Sequence, residues 1–310
     1  MKRFLLILKW TGIVLGSLLL IFVLLVLFLQ NRQFDAPYPN ITAVTDSAVV
    51  ARGKYLAYGP AHCSGCHSPA ENQPLLDNGE ELPLIGGGDF ALPIGHIYSS
   101  NLTPDKETGI GSLTDQQIAR ALRYGVGHDG RALFDFMPFH NTSDDDLTAI
   151  ISYLRAQKPV KNEIPANSFT VMGKIVKAFL VKPVGPEGEV PKTVKRDTTA
   201  SYGRYIAVDV AECNGCHTKR DMAGKYIGEP FAGGNDIEGF ITPNLTPDPS
   251  GRIYKWSQQN FIDRFRMGKL YPNSPMPWNS FKRMSDDELK AIYNFLRSTK
   301  PVHTEKIVNK

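Results

Sequence analysis

The sequence predicts a mainly α-helical protein made of an N-terminal transmembrane helix and two copies of one small helical domain. Three observations predict this fold class. An uncharged apolar segment follows the first basic residues, the rest of the chain repeats its own motifs in order, and apolar residues in each copy recur at the spacing of amphipathic helices. The chain has 310 residues, of which 42% are hydrophobic and 21% charged, and this composition excludes disorder as the main state.

Charge and cysteine content exclude two further classes of protein. The net charge is only +4, from 35 basic and 31 acidic side chains, whereas nucleic-acid binding needs basic residues concentrated on one patch or stripe. We therefore expect no nucleic-acid partner. The 4 cysteines are too few for a disulfide scaffold, so the core must be held by packing.

The predicted transmembrane helix lies at the start of the chain. Residues 11–29 carry no charge, and as a helix they would extend about 29 Å, close to the hydrocarbon thickness of a bilayer. A cleaved secretory signal is the alternative, but its apolar region is usually about 7–15 residues long and ends in small residues. Basic residues precede the segment, so we expect a single-pass protein of the inner (cytoplasmic) membrane with a cytoplasmic N-terminus. The rest of the chain would then be periplasmic.

Two stretches of the remaining chain carry the same motifs in the same order, which predicts two copies of one domain. The matched pairs are Gly53–Ala57 with Gly203–Ala207, Cys63–His67 with Cys213–His217, Asn101–Pro104 with Asn244–Pro247, Met137–Phe139 with Met276–Trp278, and Ser143–Leu147 with Ser285–Leu289. The predicted boundaries are an anchor (1–30), a linker (31–46), a first domain (47–160), a connector (161–196) and a second domain (197–310).

Each domain is expected to contain three main helices. The last begins after a capping serine, Ser143 or Ser285, and Ser285 with Glu288 forms a capping box. The middle helix begins at Thr114 or Ser257 and stops near Gly125 or Gly268, and the first begins at about Ser47 or Thr199. The Gly/Pro-rich stretches 83–108 and 230–251 are expected to be loops that cover something other than protein core.

The connector has a helical pattern of its own. Met172, Ile175, Val176 and Phe179 follow helical spacing, with lysines between them. Such a segment can dock on a membrane surface or can pack as a bridging helix against the two domains. We favour the bridging helix.

The two Cys-x-x-Cys-His motifs predict two covalently bound haem c groups. Their cysteines are Cys63, Cys66, Cys213 and Cys216, and the histidines that follow them are His67 and His217. Two thioethers would fix each porphyrin and the histidine would ligate its iron. Zinc sites usually bring two such pairs within about 15–20 residues, and thioredoxin-like pairs need a neighbouring strand–helix–strand pattern. Structural disulfides would not need the histidines. Haem attachment of this type belongs to an extracytoplasmic compartment, in agreement with the predicted orientation.

Two methionines are the predicted distal iron ligands. Met137 and Met276 occupy the same place in the two copies, and each precedes a proline, which restricts the backbone before it. The other histidines have no counterpart in the opposite copy. Ligation by histidine and methionine favours reduced iron and leaves no open position for a substrate. Arginines of the middle helices can pair with haem propionates or lie on a solvated helix face; they are Arg120, Arg123, Arg264 and Arg266.

Several of these motifs resemble the cytochrome c subunits of membrane alcohol and gluconate dehydrogenases. The resemblance rests on residues 97–105, 109–111, 129–131 and 137–138 together with the two haem motifs. It implies cytochrome c folds that pass electrons from a periplasmic dehydrogenase towards quinone or an oxidase, with the attachment and ligand residues named above. Those subunits typically carry three haem modules, whereas this chain has two and an N-terminal anchor.

The sequence therefore predicts a membrane-anchored dihaem electron carrier of a respiratory chain, without catalytic residues of its own. Its expected partners are redox proteins, namely a dehydrogenase subunit, an oxidase or a soluble cytochrome, together with the membrane. A dihaem peroxidase-like enzyme is one alternative, although it needs a five-coordinate or readily opened haem. An electron-entry subunit of a haem–copper oxidase is the other.

Overall fold

The computed structural model describes residues 1–137, 139–221, 224–271 and 274–305 and is mainly helical. Helix α1 covers Lys2–Leu29 and ends where the apolar segment ends. Within the helix only Val26 is buried. The helix is long and apolar enough to cross a membrane, which is consistent with an anchor.

The predicted helices recur in the same order in the two copies, called here the first repeat (47–160) and the second repeat (197–305). The first repeat contains α2 (Ser47–Tyr58), α3 (Cys63–Cys66), α4 (Gln73–Asp77), α5 (Asp115–Tyr124) and α6 (Asp144–Ala156). The connector holds α7 (Val171–Phe179), and the second repeat contains α8 (Ala200–Arg204), a π-helical turn (Tyr205–Val210), α9 (Cys213–His217), α10 (Gln258–Arg266), α11 (Trp278–Phe281) and α12 (Asp286–Ser298).

Short strands lie in the stretches that the sequence predicts as loops. In the first repeat, β1 (Asp89–Leu92) and β2 (Gly95–Tyr98) form an antiparallel hairpin, and β3 (Ser168–Phe169) of the connector pairs with β2. In the second, β4 (Asp236–Ile237) pairs with β5 (Phe240–Ile241). Strands of two to four residues are too short to produce a readable period in the sequence.

The helix starts agree with the predicted capping residues, with one correction. Thr114 and Ser257 form complete capping boxes with the side chains three residues later. The hydroxyl of Ser285 accepts from the Glu288 N–H at 3.1 Å, but the capping box predicted there is wrong. The Glu288 carboxylate binds residues of the first repeat and of α8 instead of returning to Ser285.

The repeated glycines allow the first and last helices of each repeat to cross closely. A Cβ atom at Gly53 would lie 1.8 Å from the carbonyl oxygen of Ala149, and one at Gly203 would lie 1.9 Å from that of Ala291. No side chain can be accommodated at such distances. The buried apolar side chains of both repeats then form one continuous cluster, which includes Leu56, Leu147, Ile206 and Leu289.

The predicted linker is an extended segment bound along the first repeat. Phe34 N–H donates to the Gly130 carbonyl at 2.8 Å, and Ala43 N–H donates to the Asp115 carboxylate at 2.8 Å. Val44 N–H donates to the Ser152 hydroxyl at 2.9 Å. These bonds fix the first repeat relative to the end of α1.

Helix α7 packs on α1 and on the first repeat, so the predicted bridging position between the two domains is wrong. The Phe179 ring stacks on Phe22 of α1 with ring centroids 6.0 Å apart. At the other end, Thr170 caps the helix and its backbone N–H donates to the Ile94 carbonyl at 3.1 Å. The apolar pattern predicts the helix correctly, but its apolar face packs against the N-terminal helix α1.

The two repeats contact each other through reciprocal tyrosine bonds. The Tyr55 hydroxyl accepts from the Ser285 N–H at 2.8 Å and donates to Glu288. The Tyr205 hydroxyl accepts from the Ser143 N–H at 3.1 Å and donates to Asp146 at 2.9 Å. Each tyrosine therefore binds the N-terminal turn of the final helix of the opposite repeat.

One arginine joins the two acidic residues of this interface. The Arg52 guanidinium binds both oxygens of Asp146, at 2.9 and 3.2 Å, and one oxygen of Glu288, at 3.1 Å. The three side chains are only 11%, 10% and 4% exposed. Burial by itself lowers the pKa of Arg52, but the hydrogen bond to Asp146 and the charges of both carboxylates raise it overall. We call Arg52, Tyr55, Asp146, Tyr205 and Glu288 the interface clasp.

Candidate haem-binding sites

Each Cys-x-x-Cys-His motif begins a short helix in which both cysteines lie on one turn. The residue before each motif adopts a left-handed backbone conformation, with φ of 40° at His62 and 55° at Glu212. No disulfide joins the four cysteines. Because φ is positive at the same place in both repeats, the chain enters the two motifs in the same way.

The thiol environments fit thioether attachment better than thiolate chemistry. Burial raises the pKa of Cys63 and of Cys213 to about 12, and the charge of the neighbouring cysteine adds to the effect. Burial also raises the pKa of Cys66 and Cys216. Redox-active cysteines need stabilised thiolates, which these surroundings disfavour. A carbon–sulfur bond carries no charge and suits the same apolar position.

The two motif histidines are held in the orientation and tautomer that iron ligation requires. His67 and His217 are 7% and 8% exposed. Nδ1 of His67 lies 2.8 Å from the Ser100 carbonyl oxygen, and Nδ1 of His217 lies 3.1 Å from that of Pro243. A carbonyl only accepts, so Nδ1 carries the proton and the Nε2 lone pair is available for a metal. Burial lowers both pKa values, which keeps the rings neutral.

The repeated Asn-Leu-Thr-Pro motif fixes the carbonyls that orient these histidines. The Asn101 amide donates to the Val160 carbonyl at 2.9 Å, and its oxygen accepts from the Thr103 N–H at 2.9 Å. The corresponding bonds in the second repeat, both 2.8 Å, join Asn244 to Val302 and Thr246. Ser100 and Pro243 directly precede these asparagines. The sequence alone shows that this motif is repeated but does not show its role. Its recurrence at the same place in both repeats is the one feature of the sequence that indicates a shared function.

A repeated glycine binds the backbone carbonyl of each motif histidine. The Gly86 N–H donates to the His67 carbonyl at 3.0 Å, and the Gly233 N–H donates to that of His217 at 2.8 Å. Both glycines have positive φ, 72° and 71°. A Cβ at Gly86 would lie 2.4 Å from the backbone of Ser100. The backbone of Gly86 therefore packs directly against Ser100, the residue whose carbonyl orients the His67 ring.

The two predicted methionine ligands lie on equivalent turns, and both side chains are partly buried against the apolar cluster. The Met137 carbonyl accepts from the Phe139 N–H at 2.8 Å, and that of Met276 accepts from the Trp278 N–H at 2.7 Å. Pro277 follows Met276 with φ of −76°. Pro138 lies outside the described residues, so its predicted stiffening of the first methionine turn remains a prediction.

Arginines of the middle helices bind the protein near these methionine turns. Arg123 donates to the Thr142 carbonyl and to Asp144, both at 2.6 Å. Arg266 makes the equivalent bonds to the Met284 carbonyl and Asp286. Arg120 binds Phe34 and Tyr38, and Arg264 stacks over Trp278. Arg123 and Arg266 therefore join the end of each middle helix to the start of the final helix, just after the methionine turn.

His140, which follows the first methionine turn, has both ring nitrogens occupied by protein groups. Its Nε2 lies 2.9 Å from Asp135, and its Nδ1 lies 3.0 Å from the Arg123 carbonyl. Burial by itself lowers the pKa of His140, but the Asp135 carboxylate raises it overall. This side chain is therefore unsuited to replace a methionine on iron.

Glu212 is a titratable group close to both motifs. It directly precedes Cys213, and its charge also acts on Cys66 of the first repeat. Burial raises the pKa of Glu212 to about 7, with Asp135 adding to the increase and Arg220 and His140 opposing it. Its ionisation near neutral pH would therefore be felt at both sites.

Comparisons with known proteins agree with these sites. Residues 201–300 match the cytochrome c family, which implies covalently bound haem c in the second repeat. The chain is 29% identical to the fructose dehydrogenase cytochrome subunit of Gluconobacter japonicus over 80% of this chain and 52% of that protein. It is 30% identical to the gluconate 2-dehydrogenase cytochrome c subunit of Pantoea cypripedii over 82% of this chain and 60% of that subunit.

A further relative is a diheme cytochrome c-type protein of Cereibacter sphaeroides, 28% identical over 76% of this chain and 81% of that protein. The chain spans little more than half the length of the dehydrogenase subunits that it matches. The predicted resemblance is confirmed, because these homologues are cytochrome c subunits of dehydrogenases.

Proposed function

We propose that this homologue of dehydrogenase cytochrome subunits is a membrane-anchored dihaem c-type cytochrome. It transfers electrons on the periplasmic side of the inner membrane, between a dehydrogenase and quinone or a terminal oxidase. The observation that carries the proposal is the duplicated histidine site. In each repeat a buried motif histidine donates its Nδ1 proton to the carbonyl before an Asn-Leu-Thr-Pro motif.

The residues of each repeat have distinct roles in this proposal. Cys63, Cys66, Cys213 and Cys216 would form the thioether bonds, His67 and His217 would bind iron through Nε2, and Met137 and Met276 would supply its thioether ligands. Bound haem supplies an iron that takes up and releases one electron. The hydrogen bond at Nδ1 keeps each imidazole in place, and the soft thioether favours the reduced state and raises the potential.

The names of the relatives support the proposed partners. A fructose dehydrogenase, an alcohol dehydrogenase and a gluconate dehydrogenase each have a similar cytochrome subunit. We therefore propose a dehydrogenase as the electron donor, and quinone or an oxidase as the acceptor. The apolar helix α1 would hold the carrier at the membrane, with the basic N-terminus in the cytoplasm.

Haem stoichiometry and ligation test the proposal. The full chain, purified from membranes, should contain two haem c groups by the pyridine haemochrome assay. Replacing Cys63 and Cys66 by alanine should leave one, as should replacing Cys213 and Cys216. The reduced spectrum should be low-spin. One haem per chain, bound zinc, or a high-spin signal with rapid peroxide turnover would overturn the proposal.

The distal ligand can be tested separately. Met276→His should retain the second haem and lower its potential, because imidazole favours ferric iron. Met267→His is the matched control, since Met267 directly follows α10 and is 60% exposed, and its redox titration should not change. An unchanged titration for Met276→His would remove Met276 from the ligand set.

A further inference from the structure

The connector helix α7 has an apolar face that the protein covers only in part. Residues 171, 172, 175, 176, 179 and 180 fall within one half of the helix circumference at 100° per residue. Among them Val171, Met172 and Leu180 are 76%, 59% and 67% exposed. Lys174 is exposed beside this face, and Lys182 is exposed just beyond the end of the helix.

The covered part of this face rests on the transmembrane candidate helix α1. Phe179 stacks on Phe22 with an angle of 13° between the rings. Phe22 lies seven residues before Leu29, the last residue of α1, which is about 10 Å along a helix axis. If the apolar segment that ends at Leu29 spans a bilayer, Phe179 lies at the depth of the hydrocarbon region. Water-soluble proteins do not reach that depth, so the residues beside Phe179 would meet lipid.

Helix α7 is also fixed to the first repeat. Strand β3, directly before it, pairs with β2, with Phe169 opposite Gly95. The Lys177 ammonium lies 4.6 Å from the centre of the Phe169 ring, on the side of the helix away from the apolar face. The first repeat, α7 and α1 therefore form one packed unit.

We propose that α7 is a second membrane-embedded element of this protein, lying in the leaflet that holds the C-terminal end of α1. Val171, Met172 and Leu180 contact acyl chains, and Lys174 and Lys182 face anionic lipid headgroups, as in interfacial amphipathic helices. This inference rests on the anchor role of α1 in the proposed function. It deepens that role, because a span alone fixes a protein to the membrane, whereas a span and a surface helix also fix its orientation.

Spin labels on the full chain in nanodiscs containing anionic phospholipid test this placement. Met172→Cys and Leu180→Cys each provide one site for a nitroxide, since the proposed haem cysteines are in thioether bonds. Leu19→Cys reports on the span, and Lys255→Cys, at an exposed position of the second repeat, reports on water. Accessibility to oxygen and to a water-soluble nickel chelate is measured at each site by electron paramagnetic resonance.

The proposal expects labels at 172 and 180 to resemble the label at 19, with high oxygen and low nickel accessibility. It is overturned if they resemble the label at 255 while position 19 is immersed. It is also overturned if both reagents are excluded, because protein would then cover α7. A water-exposed label at 19 would overturn the anchor itself, so failure of the proposed function is distinguishable from failure of this inference.

Discussion

Replacing Arg52 by methionine should destabilise the contact between the two repeats, and the loss should be larger than that from removing an exposed charge. Methionine keeps most of the side-chain length but removes the guanidinium, so Asp146 and Glu288 lose their shared cation. Three hydrogen bonds, of 2.9, 3.2 and 3.1 Å, are lost together. The two carboxylates remain at 10% and 4% exposure, too buried for water to replace the guanidinium fully.

The expected loss of unfolding free energy is large for one substitution. Removing one partner of a buried ion pair typically costs about 3–5 kcal/mol, because the other partner is left as an unpaired charge in the interior. At about 2–4 °C per kcal/mol for a chain of this size class, the melting temperature should fall by roughly 10 °C. Thermal unfolding of the purified full chain, followed by circular dichroism, measures the change.

Two further variants make this prediction specific. Arg131→Met is the matched control, because Arg131 pairs with Asp129 at 3.2 Å but is 51% exposed, and exposed pairs contribute at most about 1 kcal/mol. Adding Asp146→Asn and Glu288→Gln to Arg52→Met removes the unpaired charges and should recover much of the lost stability. A loss no greater than that of Arg131→Met would refute the reasoning, as would a triple variant no more stable than Arg52→Met.

Two other predictions concern the proposed haem sites. Between pH 6 and 8 the haem potentials should fall as Glu212 ionises, since a nearby negative charge stabilises ferric iron, and Glu212→Gln should flatten this dependence in pH-controlled redox titrations. Because burial raises the pKa of Glu212 from 4.5 to about 7 on folding, the wild-type chain should also lose stability as the pH rises from about 4.5 to about 7, and the glutamine variant should lose less over the same interval. Asn101→Ala should cost about 1–3 kcal/mol through unpaired buried groups and should alter the visible spectrum or potential of the first haem only, whereas Asn244→Ala should affect only the second. Changes at both haems in either variant would contradict the local role of the motif.

Much of the fold could be predicted because its signals are local. Thr114 and Ser257 mark helix starts through hydrogen bonds to residues three positions away, and the apolar stripes record which helix faces are buried. The histidine environment was partly predictable, because the motif predicts the histidine ligand but not the carbonyl that orients its ring. The Ser100 carbonyl is a backbone group, so its role depends on the fold that the asparagine motif maintains.

The interface clasp could not be predicted because its partners are distant in sequence. Arg52 is separated from Asp146 by 94 positions and from Glu288 by 236. In sequence, both acidic residues look like ordinary members of a first helical turn, where the helix dipole favours negative charge. The position of α7 was missed for a related reason. An amphipathic pattern shows that a face is buried but does not show which element covers it.

The hydrogen-bonded linker between α1 and the first repeat also limits how this protein can contact a partner protein. With Phe34, Ala43 and Val44 held by backbone hydrogen bonds, the chain has little slack between the end of α1 and the first motif. If α1 is a membrane anchor as proposed, the first repeat would stay close to the membrane surface instead of moving freely on a flexible tether. If α1 spans a membrane as proposed, a membrane-bound redox partner would reach the first repeat by lateral diffusion, and the first repeat would present the same surface to it each time.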